Sequence, residues 1–255
     1  PASLFGTPEG ATTLDMPQDR ETMGRSFTLA VTLFAITLAL LFVLQSALFA
    51  VSSVQLVGAR HLTEEEILSI AGISMGDSLF NVDVRRARER LLAHPRIEQA
   101  TVRRRLPATI HVEVVERVPV AIMPHPEGFA ALDAQGRVLM LSEELRLPYP
   151  LLTGFDLPEG SGPEPGTELR SPELNRALTV ASALPPSLLA TVGEVAATAQ
   201  GVTLKTRDGI DVLIGDTSQL EEKLQTLSDI LRSLADGRES VRQIDVRIPR
   251  TPVLR

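Results

Sequence analysis

The string Gly72-Ile73-Ser74-Met75-Gly76 carries the letters of the G-x-S-x-G nucleophile elbow, in which a strained strand-to-helix turn exposes a serine for acyl transfer. That chemistry needs a strand before the serine and a helix directly after it. Here helix signals precede the string and the loop Asp77 to Val82 follows, so the glycines read as loop punctuation. His61, His94, His111 and His125 stand far apart with no second ligand at metal spacing, which gives a zinc site no support. Acid runs at Glu64 to Glu66, Glu143-Glu144 and Glu221-Glu222 lie at helix starts or in polar turns, where carboxylates favour the helix dipole or are simply solvated. Arg103-Arg104-Arg105 lacks the interleaved aromatics of a nucleic-acid surface and reads as a solvated strand end. There is no G-x-x-x-x-G-K-[ST] phosphate loop and no cysteine, and the aromatics include no Trp and the single Tyr149. The residues therefore predict no catalytic set, no cofactor and no metal.

Charge points the same way. Residues 52–121 hold 10 arginines against 9 acids, and residues 122–255 hold 13 basic against 19 acidic side chains. Neither part has the basic field that nucleic acid requires.

One segment stands apart in composition. From Phe27 to Val51 there is no ionisable residue, and a bilayer core needs about 20 apolar residues of helix. The run exceeds the roughly 7–15 apolar residues of a cleavable signal, and its only candidate cut, Leu48-Phe49-Ala50, has an unsuitable Leu at the minus-three position. Residues 27–51 are therefore predicted to be a transmembrane helix. Arg20 and Arg25 before it, against Arg60 after it, favour a cytoplasmic N-terminus. Residues 1–26, with Pro1, Pro8, Gly10 and Pro17 and no periodicity, are predicted to be a disordered cytoplasmic tail.

The elements after the span follow from their boundary signals. Val54 to Val57 is a β-branched run closed by Gly58. Thr63 and Glu66 form a capping box, ahead of a helix burying Ile67, Leu68 and Ile70 that ends at Gly72. A second helix begins near Asp83, buries Val84, Ala87, Leu91 and Leu92, and must stop before Pro95. Ile97 to Arg104 and Thr109 to Val115 are strands joined at Leu106-Pro107, with Ile110, Val112 and Val114 on the buried face. The predicted order is βααββ over residues 52–121.

Beyond it, Phe129 to Leu132 and Val138 to Leu141 form a hairpin around Ala134-Gln135-Gly136. Gly154 to Ser171 reads as a long exposed loop. A helix starts at Ser171-Pro172 and is ended by Pro185-Pro186. Gly201 to Lys205 and Ile210 to Ile214 flank an Asp208-Gly209 turn. The following helix, capped by Ser218 with Glu221 and ended by Gly237, buries Leu220, Leu224, Leu227, Leu231 and Leu234. A final strand spans Gln243 to Ile248, cut off by Pro249 and Pro252.

The βααββ unit placed directly after a membrane span resembles a POTRA domain. Its closing tract, Glu116-Arg117-Val118-Pro119-Val120-Ala121, resembles the ERxPVA junction of the bacterial FtsQ/DivIB division family. The 129–141 hairpin, Pro150 to Gly154 and the Ile-Asp-Val-Arg strand extend that likeness. The expected fold class is α+β: a transmembrane helix, a POTRA domain (52–121), a β-rich domain with flanking helices (122–249) and a tail (250–255). The resemblance implies a non-catalytic divisome scaffold that links early and late division proteins at the septum. It would be a single-pass type II protein of the inner (plasma) membrane with an extracytoplasmic C-terminal domain.

The implied partners are FtsB (DivIC in Gram-positive bacteria) and FtsL, with other divisome proteins at the POTRA domain, and neither nucleic acid nor a small-molecule substrate. In that family the last strand is implicated in holding FtsB by β-augmentation, in which unpaired backbone groups supply affinity. Carried over, the role falls on Gln243, Asp245, Arg247 and Ile248. Ile248 stands where the family has an aromatic contact. The alternative implied by a POTRA unit is polypeptide transport or chaperoning in the envelope, but no alternating β-barrel signature follows Ala121.

Overall fold

The computed structural model describes residues 19–44, 47–143, 148–156, 163–236 and 241–255. Helix α1 (Asp19–Leu44) begins ahead of the expected span, so residues 19–26 of the predicted tail are helical, while residues 1–18 lie outside the described residues. It also ends short of Val51. Ala47–Phe49 is a single 3-10 turn, Ala50 bridges to Ser78, and Val51 is buried in the following unit. The reason is competition for the backbone: the Val51 N–H donates to the Asp77 carbonyl, and the Val51 carbonyl accepts from Gly76 N–H. Side chains of α1 are described for residues 28–42 and all are exposed. Among the described residues, no helix is long and apolar enough to cross a membrane.

The βααββ unit folds as predicted: β1 (Ser53–Val57), α2 (Glu64–Ala71), α3 (Val84–Ala93), β2 (Ile97–Arg105) and β3 (Thr109–Glu116). β3 lies in the centre, parallel to β1 and antiparallel to β2. Both halves of the Thr63/Glu66 capping box form, and Gly72 closes α2 in the left-handed conformation. Asp83 caps α3 through the N–H groups of Arg85 and Arg86, and His94 leaves the helix in extended geometry ahead of Pro95. Ile67, Leu79, Leu91, Ile97, Ile110 and Val112 form the centre of the core.

Strict alternation along β3 brings a charged residue inward after Ile110, Val112 and Val114, and the buried Glu116 has a dedicated cradle. Its Oε1 accepts from the N–H groups of Arg60 (2.7 Å), His61 (3.0 Å) and Leu62 (3.0 Å), and His61 Nδ1 lies 3.0 Å from Oε2. The loop can curl onto the carboxylate because Gly58 turns with φ 90°; a Cβ there would sit 2.0 Å from the Val114 carbonyl oxygen. Burial pushes the Glu116 carboxyl upward, but the N–H groups of His61, Leu62 and Arg60 and the His61 side chain outweigh it and hold the group at about 2.

The second unit is built on nine strands of the described residues: β4 (Ala121–His125), β5 (Gly128–Leu132), β6 (Val138–Ser142), β7 (Leu151–Thr153), β8 (Val192–Thr198), β9 (Gly201–Thr206), β10 (Asp211–Gly215), β11 (Gln243–Asp245) and β12 (Val253–Leu254). Their order is β12-β11-β10-β9-β8-β7-β4-β5-β6. α4 (Pro172–Ala183) and α6 (Leu220–Asp236) bury Leu174, Leu178, Leu224 and Leu227 in the same core as Leu132, Leu152, Val195, Leu204 and Val212, and α5 (Pro186–Leu189) contributes Leu188. Both predicted hairpins form, with Gly136 and Gly209 at positive φ.

Two local expectations are corrected, at the 154–171 loop and at Ser218. The 154–171 segment is not simply an exposed loop: Leu169 is buried, and Gly166, Thr167 and Leu169 pair with Val138 and Gly136, covering the start of β6. Residues 157–162 lie outside the described residues. The helix begun at Ser171-Pro172 does stop before Pro185-Pro186, with Leu184 extended, and Pro186 then opens α5 as its first residue. Ser218 does not cap α6; its N–H and hydroxyl both donate to Asp216 Oδ1, and Gln219, at φ 51°, precedes the helix. The expected stop at Gly237 lies outside the described residues.

What pins the start of α6 is Lys223, 1% exposed, whose Nζ donates to the Ile214 carbonyl (3.0 Å), the Asp216 carbonyl (2.8 Å) and Asp216 Oδ1 (2.8 Å). The Lys223 ammonium first, then the Ser218 hydroxyl, holds the Asp216 carboxyl at about 2.

An ion pair closes the junction of the two units. Arg117 Nη1 donates to Asp133 Oδ2 at 2.9 Å, while Asp133 Oδ1 accepts from the N–H groups of Gln135 and Arg137 in the β5–β6 turn.

Two predictions follow from the buried carboxylates. Because the folded Glu116 titrates near 2 rather than 4.5, its contribution is complete above about pH 4.5 and is lost as pH falls toward 2; the shift corresponds to about 3 kcal/mol. Glu116→Gln should lower stability at pH 6 by about 2–3 kcal/mol in urea titrations, with the difference from wild type shrinking between pH 5 and pH 2. Parallel pH profiles for the two chains would contradict this. Asp133→Ala should cost about 3–5 kcal/mol by leaving Arg117 unpaired, and Arg117→Ala combined with Asp133→Ala should cost clearly less than the sum of the two single changes in thermal melts.

Candidate partner-binding edge

The four residues carried over to a partner-binding role lie at one end of the large sheet, but not on a six-residue strand. β11 stops at Asp245, pairing in parallel with β10 through Asp211↔Gln243, Val212↔Ile244 and Leu213↔Asp245. Val246 is still buried and its N–H donates to the Leu213 carbonyl, after which Arg247 and Ile248 turn away into a bend. The bend rests against α6: Thr226 Oγ1 donates to the Pro249 carbonyl (3.3 Å), and Arg250 Nε is 3.6 Å from Glu222 Oε1.

The expected tail at 250–255 is corrected as well. Proline removes an N–H and disfavours a continued strand, yet the chain reverses through Pro249 to Thr251 and returns as β12, antiparallel to β11. Ile244 faces Leu254 and Asp245 faces Val253. Gln243 and Arg255 exchange both backbone bonds, with N–H to O distances of 3.0 and 2.9 Å, and Arg242 N–H donates to the Arg255 carbonyl at 2.8 Å. The outer side of β11 is thus occupied by this chain's own residues. In an antiparallel ladder the position next to an exchanging pair points its backbone groups the other way, so the N–H and carbonyl of Leu254 face outward.

The side chains divide into a pair, a spacer and an exposed apolar group. Arg247 donates through Nε to both Asp245 oxygens (3.0 and 3.1 Å) and through Nη2 to Oδ2 (2.6 Å), and its N–H bonds Oδ1. The Arg247 side chain is the leading cause that holds the Asp245 carboxyl below its ordinary range. Gln243 is fixed by its backbone, and Ile248 is 65% exposed with Val253 and Leu254 also exposed nearby in sequence. The arrangement presents a short ladder edge, an exposed apolar side chain and an ion pair side by side.

Val253, Leu254 and Arg255 escaped the sequence reading because two strand residues after a proline carry no measurable alternation. The elbow-like Ser74 lies where its context indicated, in the loop after α2, with its N–H donating to Asp77 Oδ2. Among the described residues, no three His, Asp or Glu side chains are grouped as a metal site.

Comparison with known proteins agrees with this architecture. Residues 49–117 match the family described as POTRA domain, FtsQ-type, and residues 121–247 match the family described as cell division protein FtsQ/DivIB, C-terminal. The chain is 31% identical to the cell division protein FtsQ of Mycolicibacterium smegmatis over 202 residues, covering 79% of this chain and 57% of that protein. It is 32% identical to FtsQ of Myxococcus fulvus over 195 residues, covering 75% of this chain and 67% of that protein. FtsQ of Corynebacterium glutamicum is 26% identical over 71% of this chain and 78% of its own length. The chain spans somewhat more than half the length of the mycobacterial relatives it matches. On these two matched regions and these relatives, the chain belongs to the FtsQ/DivIB family of bacterial cell division proteins.

Proposed function

We propose that this protein is a non-catalytic divisome scaffold that captures FtsB or DivIC, together with FtsL, at the β11–β12 edge of its C-terminal domain. The observation that carries the reading is the condition of that edge. β11 is three residues long and is covered by only two strand residues, beside the exposed Ile248 and the Asp245–Arg247 pair. A sheet end closed this lightly can accept a partner strand, either in place of β12 or alongside Leu254. The POTRA domain (52–121) then stands between the anchor and the binding domain (122–249), where further divisome proteins would reach it.

Anchoring belongs to the same proposal. The uncharged run from Phe27 to Val51, and the exposure of every described side chain from 28 to 42, support a helix solvated by lipid with residues 1–26 on the cytoplasmic side. A tether to the plasma membrane confines the binding domain to the surface where bitopic partners also reside and raises their effective concentration.

Two measurements test the edge. Ile248→Asp should reduce co-purification of FtsB by about tenfold, the loss of a single buried apolar anchor, while leaving the thermal midpoint within a few degrees. Unchanged capture would remove Ile248 from the site. Deleting residues 253–255 removes the β12 ladder and the three backbone bonds of Arg255 that compete for the edge, so FtsB should bind about three- to tenfold more tightly if its strand replaces β12. Loss of binding would instead assign the contact to β12 itself. In cells, depletion of the protein should give filaments with unconstricted division sites, and normal septation would defeat the division role.

A further inference from the structure

Three separate parts of the POTRA domain converge where the chain leaves α1. The 47–51 segment is held to the α2–α3 loop by Leu79 N–H donating to the Phe49 carbonyl (2.8 Å) and by the Ala50–Ser78 bridge, with the Phe49 and Phe80 rings 5.2 Å apart. Ser52 N–H donates to the Ala108 carbonyl (2.9 Å), and Ser53 Oγ lies 2.8 Å from Thr109 Oγ1, which brings the tip of the β2–β3 hairpin to the same place. Arg104 Nη2 ties that hairpin to the α2–α3 loop at the Val82 carbonyl.

The end so formed is apolar and basic at once. Leu48 is 69% exposed, Leu106 66% and Met75 54%, with Phe80 also exposed. Arg103 and Arg105 precede Leu106 at the end of β2 and are exposed, Arg105 bonding Gln55 Oε1 through one nitrogen only. The acids of the α2–α3 loop here are Asp77, bound to Ser74 N–H, and Asp83, which caps α3 and lies 3.4 Å from Arg86 Nε. Leu48 is four residues beyond Leu44, so it cannot lie more than about 14 Å from the end of α1.

We propose that this end of the POTRA domain docks on the bilayer surface, with Leu48, Met75, Phe80 and Leu106 at the level of the headgroups and Arg103 and Arg105 paired with anionic lipid. The proposal rests on the reading of helix α1 as a membrane anchor. Exposed apolar side chains with two arginines on the adjoining strand, next to an apolar helix, match the interface in both solvation and charge. Docking here orients the domain: β3 runs from Thr109 at this end to Glu116 at the junction, roughly 23 Å away, which lifts the second domain off the membrane by at least that length if the strand stands upright.

The chain has no cysteine, so single substitutions can be labelled uniquely. The full chain carrying Leu106→Cys, Met75→Cys or, as a control beyond the far end of β3, Val118→Cys is labelled with an environment-sensitive fluorophore. It is reconstituted into phosphatidylcholine vesicles with or without phosphatidylglycerol and exposed to lipids bearing a quencher. Labels at 106 and 75 should be quenched, more strongly with phosphatidylglycerol, and the label at 118 should not.

Each exposed arginine near an anionic surface contributes about a fivefold factor. Arg103→Glu with Arg105→Glu should therefore abolish the response to phosphatidylglycerol without changing flotation of the chain with the vesicles. Flotation with labels at 106 and 75 left unquenched in both compositions overturns the docking while leaving the anchor intact. Shielding that grows with protein density and is insensitive to quencher lipid assigns the surface to a second copy and also overturns it. Failure to float overturns the anchor reading and the docking with it.

Discussion

The connection between the two domains depends on two adjacent side chains at the end of β3. Glu116 points inward and is held by three N–H groups of the 60–62 loop; Arg117, on the next residue, reaches across to Asp133. Successive residues of a strand face opposite ways, so one dipeptide can close the POTRA core and fasten the following sheet at the same time. A charge buried at each site is costly unless fully bonded, which makes the two cradles mutually dependent with the backbone that forms them. The ERxPVA tract is on this account a structural clasp as much as a family signature.

Beyond the clasp, the long sheet has to finish somewhere, and its two ends are treated differently. At the β6 end, residues 163–169 fold back and pair with Gly136 and Val138. At the β11 end the cover is the two-residue β12, whose side chains remain exposed. An uncovered edge invites pairing with any extended chain, whereas a firmly covered one pairs with nothing. A short resident strand lies between those limits. The core behind it is firm by contrast: Ile244 and Val246 are fully buried, α6 packs Leu224 and Leu227 beneath them, and Lys223 pins the start of that helix.

The elements that local chemistry dictates were legible in the sequence. The Thr63/Glu66 capping box, the Asp83 cap, the Asp208-Gly209 turn and the leucine stripe of α6 each depend on residues within a few positions of one another, and each formed. Where two local options competed, the reading failed. Ser218 could cap α6 or serve Asp216, and the buried ammonium of Lys223, which draws Asp216 into place, decided for the second. Of the proposed site, the residue types and their order were visible; the pairing of Asp245 with Arg247 and the end of β11 at Asp245 were not.

By itself the sequence determined the family, the βααββ order and the uncharged 27–51 run, because those are properties of composition, spacing and short-range periodicity. Only the tertiary structure decided that Glu116 is buried beneath the 60–62 loop, that residues 163–169 cover β6 and that residues 253–255 lie on β11. Those contacts join residues far apart in the chain or too few to carry a period. They form because buried backbone and carboxylate groups must find partners wherever the fold places them.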